Sequence, residues 1–336
     1  MKKTILIVII TSMIISSIIM AQSKPTLHWF GYVRSNYKYT INEDSADNNQ
    51  FDVLVTLLGL KAQINKYSSV FIDFYFNYNS VNSLEGLVPS YTDMCGVLDA
   101  SVSLEPIDGL SLTMGQFVTP YSSENLKSAS KIDFINRGYT VRISPAYRDI
   151  GAYAKYRSNL FSLYAGVVNG SGMNTGDNNN DKNLVARAEV RPIDGLGISA
   201  ATSVGKDNHS ASDDIENQNY YTGGISYKIS DVEFAAEYSL QDYMDNSNVA
   251  MYAYGLYDFK LDNKFIKHII PAVRYDFHDP DGDDNKEDRI TAGLGISFHE
   301  NKWLSLLRIN YEIVTSESDQ LEPADNLIIE LQMRFE

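Results

Sequence analysis

The sequence predicts an all-β protein, a transmembrane antiparallel β-barrel of about 16 strands with an inward-folded third external loop. Three observations lead to this prediction. Apolar and polar residues alternate along segments of about ten residues, short turns alternate with longer polar stretches, and one stretch, 119–147, is far longer than the others. Strands that cross a bilayer need ~9–11 residues, whereas strands of soluble sheets average ~5–6.

Composition excludes several classes of protein before any motif is considered. The chain has 336 residues, 44% of them apolar and 21% charged, which excludes a disordered or fibrous protein. A single cysteine, Cys95, cannot close an intrachain disulfide, and we expect it to be a buried bystander. The formal net charge of −15 argues against a nucleic-acid partner.

The N-terminus has the layout of a secretory signal peptide. Met1-Lys2-Lys3 precede an apolar run from Ile5 to Met20, and Ala21 suits signal peptidase. We therefore expect residues 1–21 to be cleaved, leaving 22–336 as the barrel domain. The alternative is an uncleaved anchor helix, for which the run is short of the ~20 residues that a span needs.

The alternation assigns each strand a lipid face and a lumenal face. At the C-terminus, Glu330, Gln332 and Arg334 are expected to face the lumen. Their neighbours on the opposite face are expected to contact lipid: Leu327, Ile329, Leu331, Met333 and Phe335. The same pattern occurs at 70–78, 184–191 and 232–240.

The connections give the strand count. Short turns lie at 65–67, 106–109, 158–159, 192–195, 230–231, 262–264 and 299–302, and longer polar stretches lie near 41–49, 80–92, 119–147, 170–183, 205–217, 241–248, 278–288 and 316–325. The turns at 106–109 and 192–195 both read Pro-x-Asp-Gly, in which glycine takes the left-handed conformation of a hairpin. Strict alternation of the two kinds predicts sixteen strands with both termini at the short-turn end, as a closed barrel requires. A secreted β-sandwich is the alternative, but it would need a domain break that the sequence does not show.

Aromatic residues near strand ends are expected to form interfacial girdles. They are Trp29, Tyr32, Tyr37, Tyr39, Tyr220, Tyr221, Tyr252, Tyr254 and Trp303. The C-terminal Arg334-Phe335 resembles the terminal sorting signal of outer-membrane barrels, with Glu336 as a departure from it.

Loop 119–147 is expected to carry the function, since loops of this length are functional or disordered and this one has apolar anchors. Ser122 or Ser123 could cap a short helix in it. The anchors are Leu126, Ala129, Ile132 and Phe134. It is the third external connection, which in general porins folds into the lumen and forms the constriction.

Three stretches resemble the phosphate-selective porin O and P family. They are Gly115-Gln116-Phe117 with Pro120, Phe134-Ile135-Asn136-Arg137, and Arg148-Asp149-Ile150-Gly151; Phe30-Gly31-Tyr32-Val33 and the Asn-rich loop from Asp177 before Arg187 are similar too. The resemblance implies a homotrimeric channel in the outer membrane of a Gram-negative bacterium, in contact with lipid and lipopolysaccharide. Small hydrophilic solutes or anions, including phosphate, are the implied partners.

Family members that select phosphate use lumenal arginines and lysines near the constriction. The candidates here are Lys127, Lys131, Arg137, Arg142 and Arg148. Such cations would replace the hydration of an anion. Alternatively, Arg137 could pair with Asp133 and Arg148 with Asp149, in which case these ion pairs fix the loop to the wall.

The charges divide unevenly between the loops. Loop 119–147 carries four basic and two acidic residues, whereas the seven other long stretches together carry three basic and 22 acidic residues. The acidity therefore belongs to the external rim, where it could bind divalent cations that bridge lipopolysaccharide. The expected constriction is cationic.

No cofactor, metal or catalytic centre is predicted. Asp279-Pro280-Asp281-Gly282-Asp283-Asp284 resembles a calcium loop, but its glycine stands at the fourth position instead of the sixth, so a solvated acidic loop is favoured. The five histidines lack ligand spacing. A passive porin is thus expected; the rivals are a structural or adhesive surface barrel, and a barrel hydrolase for which no catalytic constellation is found.

Overall fold

The computed structural model describes residues 25–42, 46–76, 95–177, 180–206, 217–243, 246–280, 286–317 and 324–336. Within them, seventeen strand segments form one antiparallel sheet. They are β1 (Thr26–Asn42), β2 (Asn48–Asn65), β3 (Ser68–Phe76), β4 (Cys95–Ile107), β5 (Leu110–Val118), β6 (Arg148–Arg157), β7 (Phe161–Val168), β8 (Asn183–Val190), β9 (Leu196–Lys206), β10 (Asn217–Ile229), β11 (Val232–Tyr243), β12 (Asn246–Tyr257), β13 (Phe259–Lys260), β14 (His268–Asp279), β15 (Glu287–Ser297), β16 (Ser305–Ser316) and β17 (Ala324–Phe335).

The sheet closes because β1 pairs with both β2 and β17. Gly31 lies opposite Leu58 in one pairing and opposite Phe335 in the other. The two-residue β13 continues β12 along the same neighbour, β14, so the seventeen segments occupy sixteen positions around the barrel. Closure leaves no unpaired edge for lipid to meet. The predicted closed barrel of sixteen antiparallel strands is confirmed.

The two Pro-x-Asp-Gly hairpins show why glycine is required at their last position. Gly109 and Gly195 have φ values of 82° and 80°, in the left-handed region. A Cβ built on Gly195 would lie 1.9 Å from the carbonyl oxygen of Lys228 on the next strand. These two turns therefore form for the conformational reason that the sequence indicated.

Two of the expected external stretches are shorter than predicted because the strands run further. The stretch 41–49 is strand at both of its ends, since β1 reaches Asn42 and β2 begins at Asn48. The stretch 241–248 likewise shrinks, since Tyr243 at the end of β11 still pairs with Asn246 of β12. Cys95, the first residue of β4, is exposed instead of buried.

Exposure alternates along the strands as predicted. On β17, Glu330 and Gln332 are completely buried, whereas Ile329, Leu331, Met333 and Phe335 are exposed. On β8, Arg187 is buried between the exposed Ala186 and Ala188. The apolar set therefore faces lipid and the polar set faces the lumen.

The predicted aromatic girdles are correct only in part. Trp29 and Tyr221 are exposed on the lipid side. The girdle assignment is wrong for four others, which are buried on the lumenal face: Tyr32, Tyr220, Tyr252 and Tyr254. They occupy inward positions of the alternation and pack against residues inside the barrel.

Several predictions fall outside the described residues. These include the signal peptide, 1–21, and most of the acidic stretch 279–284. Within the described part of the chain, no helix is long and apolar enough to span a membrane. The same residues contain no cluster of histidine, cysteine and carboxylate side chains that could hold a metal ion.

The alternation can be tested on two neighbouring residues of β10. Ile225 is exposed on the lipid side and Ser226 is exposed on the lumenal side. Arginine on the lipid face near mid-bilayer costs about 2–4 kcal/mol, so Ile225→Arg should lower the folded fraction while Ser226→Arg preserves it. Heat-modifiable migration in gels measures that fraction. Equal losses in the two variants would contradict the assigned facing.

Candidate pore constriction

Loop 119–147 folds into the barrel, as predicted. Tyr121, Phe134 and Tyr139 are no more than 2% exposed, although they belong to a connection between strands. The predicted helix capped by Ser122 or Ser123 is absent from this described loop. Instead, the Ser122 hydroxyl accepts from the backbone of Glu124 (3.1 Å), and 3-10 turns form at Ala129–Lys131 and Tyr139–Val141.

One buried ion cluster fixes the middle of the loop to the wall. Arg34 of β1 and Arg308 of β16 share the carboxylate of Glu330 on β17, with Nε to carboxylate distances of 2.8 and 2.9 Å. The remaining guanidinium nitrogens of Arg34 donate to the carbonyls of Ala129 (3.1 Å) and Ile135 (2.7 Å). One guanidinium nitrogen of Arg308 likewise donates to the carbonyl of Ile132. The ion pairs thus orient the guanidinium N–H groups toward loop carbonyls that would otherwise have no hydrogen-bond donor.

A second cluster holds the next part of the loop. Arg274 of β14 and Arg289 of β15 both donate to Asp276 (2.8 and 3.1 Å). Both also donate to the carbonyl of Arg137, at 3.3 and 2.6 Å, and Arg274 reaches the carbonyl of Asn136 at 2.9 Å. Four wall arginines therefore bind one run of loop backbone.

Wall carboxylates accept from the loop at other points. Glu237 of β11 accepts from the backbone N–H of Ser123 at 2.6 Å. Glu312 of β16 accepts from the amide of Asn136 at 3.0 Å. Together these contacts cover the wall from β11 around to β1.

The anchoring clusters are electrically balanced. Four arginines, Arg34, Arg274, Arg289 and Arg308, lie within 4.0 Å of four carboxylates, Glu124, Asp276, Glu312 and Glu330. Buried charges are tolerated when they are paired and hydrogen-bonded in this way. The clusters therefore hold the loop without adding net charge to the lumen.

Apolar contacts join the loop to the barrel on both sides. Val141 packs in a cluster with Tyr32, Leu57 and Tyr75 of β1–β3. Phe134 packs on the other side with Tyr254, their ring centroids 5.8 Å apart. Since the loop contacts opposite walls, it narrows the lumen.

Two of the five predicted site residues are engaged in contacts that leave them little exposed to the lumen. Arg137 is 7% exposed and donates to the carbonyl of Lys127 (2.8 Å) and the hydroxyl of Tyr147 (3.0 Å), so it joins two parts of the loop. Arg148 makes a bidentate ion pair with Asp99 of β4, with N–O distances of 3.2 and 3.0 Å. Arg137 thus joins segments of the loop to each other, and Arg148 joins two wall strands, β4 and β6. The partners seen are therefore not the Asp133 and Asp149 of the alternative prediction.

The three other candidates are more accessible. Lys127 donates to the hydroxyl of Tyr254 (3.0 Å) and lies 3.8 Å from Asp133. Arg142 is exposed and pairs with Glu287 (2.9 Å). Lys131 is exposed and, within the described part of the chain, has no ion-pair partner. Lys131 is thus an exposed loop cation without a carboxylate partner, whereas Arg137, which also lacks one, is buried.

The arginines that hold the loop were not predicted as site residues. Arg34, Arg274, Arg289 and Arg308 all lie within strands, at inward positions of the alternation. That position is the signal that could have identified them, because an arginine facing the lumen needs either water or a partner.

The comparisons agree with this architecture. A family model described as "Putative beta-barrel porin-2, OmpL-like" matches residues 27–279. No curated protein matches the chain.

Solved structures give the same fold at low identity. An anion-selective porin from Comamonas acidovorans has a TM-score of 0.70 at 12% identity, covering 93% of this chain and 100% of that chain. The outer membrane channel DcaP of Acinetobacter baumannii has a TM-score of 0.67 at 14% identity, covering 94% of this chain and 98% of that chain. In-vitro folded OmpT of Vibrio cholerae, in a trimer form, has a TM-score of 0.64 at 14% identity, covering 93% of this chain and 100% of that chain.

These matches support the porin architecture. They do not specifically support the phosphate-selective family that residues 115–151 resemble. The matched family consists of channels, not enzymes. The family model covers most of the chain, from the first described strand to the end of β14. The chain therefore belongs to the beta-barrel porin-2, OmpL-like family, and it is a sixteen-stranded porin of a Gram-negative outer membrane.

Proposed function

We propose that this porin is a passive diffusion channel for small hydrophilic solutes, with loop 119–147 as its constriction and a mild preference for anions. The observation that supports it most is the balance of the anchoring clusters. Because four arginines and four carboxylates offset one another there, selectivity depends on the remaining lumenal charges. Lys131 is such a charge, exposed on the loop.

A preference for phosphate is the narrower form of this proposal. It would rest chiefly on Lys131, because Arg137 and Arg148 are engaged by loop carbonyls and by Asp99, and Lys127 lies 3.8 Å from Asp133. The anion-selective porin from Comamonas acidovorans has the same fold, which is consistent with a lumen of this kind favouring anions. A homotrimer is the proposed assembly, by analogy with the trimer form of OmpT.

The position of the longest described loop favours a channel over an adhesive surface barrel. An adhesin would present its longest loop to the outside, where it could meet a partner. Here the loop is buried in the lumen, with Tyr139 and Thr140 completely inaccessible. A loop held there can restrict passage but cannot reach another cell.

The ion selectivity can be tested by making the same lysine-to-glutamate change once in the loop and once at the external rim. Lys131→Glu should shift the reversal potential in a potassium chloride gradient toward cations, and Lys286→Glu, at the external rim, is the matched control. Screening extends only ~3 Å at 1 M salt, so the Lys131 shift should persist there while the Lys286 shift disappears. Planar bilayer recordings measure both. A native channel that is strongly cation-selective at ~1 M salt would refute the proposed anion preference.

The role of the loop as a fixed constriction gives a second prediction. Arg308→Met removes one partner of the buried cluster and leaves Glu330 with Arg34 alone. Breaking such a cluster costs about 3–5 kcal/mol, so the loop should loosen and single-channel conductance and current noise should both rise. Lys38→Met, at a half-buried lumenal position of β1, is the control and should leave both unchanged. If Arg308→Met folds and conducts like the native channel, the loop does not set the constriction.

A further inference from the structure

A second group of lumenal cations lies on β6 and β8, on either side of β7, separate from the arginines that anchor the loop. It surrounds a recess of about 170 Å³ near the end of the barrel that carries the short turns. We name it the basic recess. Its lining consists of Leu126, Lys155, Arg157, Ser162, Leu163, Tyr164, Arg187, Glu189 and Arg191.

In one lumenal row, the strand register places a cation on each side of a neutral residue. Lys155 of β6 lies opposite Tyr164 of β7, which in turn lies opposite Arg187 of β8. In the next lumenal row, Arg157 lies opposite Ser162, and the β8 residue beyond it is Glu189. Strands are spaced by ~4.8 Å, so the two outer strands of the three are about 10 Å apart. An ion over the hydroxyls of β7 would be within reach of long side chains from both.

The recess has an excess of positive charge. Its one lining carboxylate, Glu189, is paired with Arg191 at 2.6 Å. Arg191 also donates to the carbonyl of Ser158 (2.8 Å) and the hydroxyl of Ser162 (2.9 Å), so it belongs to the turn. Lys155 and Arg157, in contrast, form no ion pair with any residue that the structure describes. With Arg187, they give the recess three cations that have no ion-pair partner within 4.0 Å among the described residues.

Arg187 supplies an independent indication of a ligand. Its side chain is 8% exposed, and Nη2 donates to the hydroxyl of Ser123 at 3.0 Å. Its Nη1 is buried and has no hydrogen-bond partner among the described residues. A buried donor without a partner is unfavourable, and an acceptor in the recess would satisfy it.

We propose that the basic recess binds a compact oxyanion, a carboxylate or phosphate group, as it passes through the lumen. This inference rests on the proposed function, because solutes reach the recess only through a conducting lumen. An oxyanion is favoured over chloride because its oxygens can accept from several fixed donors at once, and a guanidinium matches two of them in one plane. The volume is below the ~300–1,000 Å³ of sites for drug-sized ligands, which restricts the ligand to an inorganic ion or a small acid.

The floor of the recess is rigid enough to keep its donors in place. The ring of Tyr164 stacks on Tyr153 with centroids 4.2 Å apart and an angle of 22°. Ser162 is held by Arg191, and Arg187 is held by the loop through Ser123. Preorganised donors lose little entropy when an ion binds, which favours a saturable site.

The test is block of chloride current by inorganic phosphate in planar bilayers containing the full-length protein. Phosphate should reduce the current saturably, and the double variant Lys155→Gln, Arg157→Gln should raise the half-blocking concentration at least about threefold. The matched control, Lys38→Gln with Lys286→Gln, removes two charges elsewhere and should leave that concentration unchanged. Acetate is the second probe: block by both ions identifies a general oxyanion site, and block by phosphate alone identifies a phosphate site.

Absence of saturable block, or equal effects of the recess and control variants, would overturn the inference. The reversal potential recorded in the same bilayers separates this outcome from failure of the proposed function. An anion-selective channel without saturable block refutes the recess alone, whereas recess-dependent block in a non-selective channel refutes the anion preference alone. Equilibrium dialysis of radiolabelled phosphate against detergent-purified protein makes the same comparison without conduction.

Discussion

The buried pairing of arginine with carboxylate is the interaction on which the functional architecture depends. A β-barrel of sixteen strands encloses an aqueous space that its own side chains cannot fill. Loop 119–147 enters that space, and its backbone carbonyls lose their contact with water as they do so. Donors on the wall must replace that contact, and Arg34, Arg274, Arg289 and Arg308 provide them. The carboxylates beside them keep the arginines charged and oriented.

This arrangement gives the two sets of lumenal arginines different roles. On β14–β16 and β1, the guanidinium groups are saturated by carboxylates and loop carbonyls. On β6 and β8, Arg157 and one nitrogen of Arg187 remain without partners within the described residues. The same residue type, facing the same lumen, thus has all its donors engaged on one wall and keeps unpaired donors on the other. Counting arginines in the sequence cannot separate these roles, because the difference lies in what the loop covers.

The barrel itself was predictable from the sequence, since facing and hairpin geometry are local properties. Alternation placed Glu330 and Gln332 inward, and the Pro-x-Asp-Gly pattern located turns where Gly109 and Gly195 take positive φ. Local pattern fails at Tyr252 and Tyr254. Both are tyrosines on a strand, as girdle residues are, but they pack against the loop. The pattern of one strand does not show whether its lumenal face meets water or protein.

The candidate site was predictable only as a segment. The length and apolar content of 119–147 indicated an ordered functional loop, and its place as the third external connection, by analogy with general porins, indicated that it enters the lumen. Five cations within or beside it were reasonable candidates. Their roles depended on partners distant in sequence, such as Asp99 for Arg148 and Glu287 for Arg142. Such pairs follow from which strands face the loop, and that is fixed only when the barrel closes.

The pairing of β1 with β17 also constrains the order of folding. Arg34 and Glu330 are 296 residues apart in the chain, yet both belong to the cluster that binds the loop. Contacts of such high sequence separation form slowly, since a long segment must be ordered before they can be made. Full anchoring of the loop therefore cannot precede the arrival of the last strand. The permeation path therefore acquires its final width only when the last strand joins the barrel, as a late event in biogenesis.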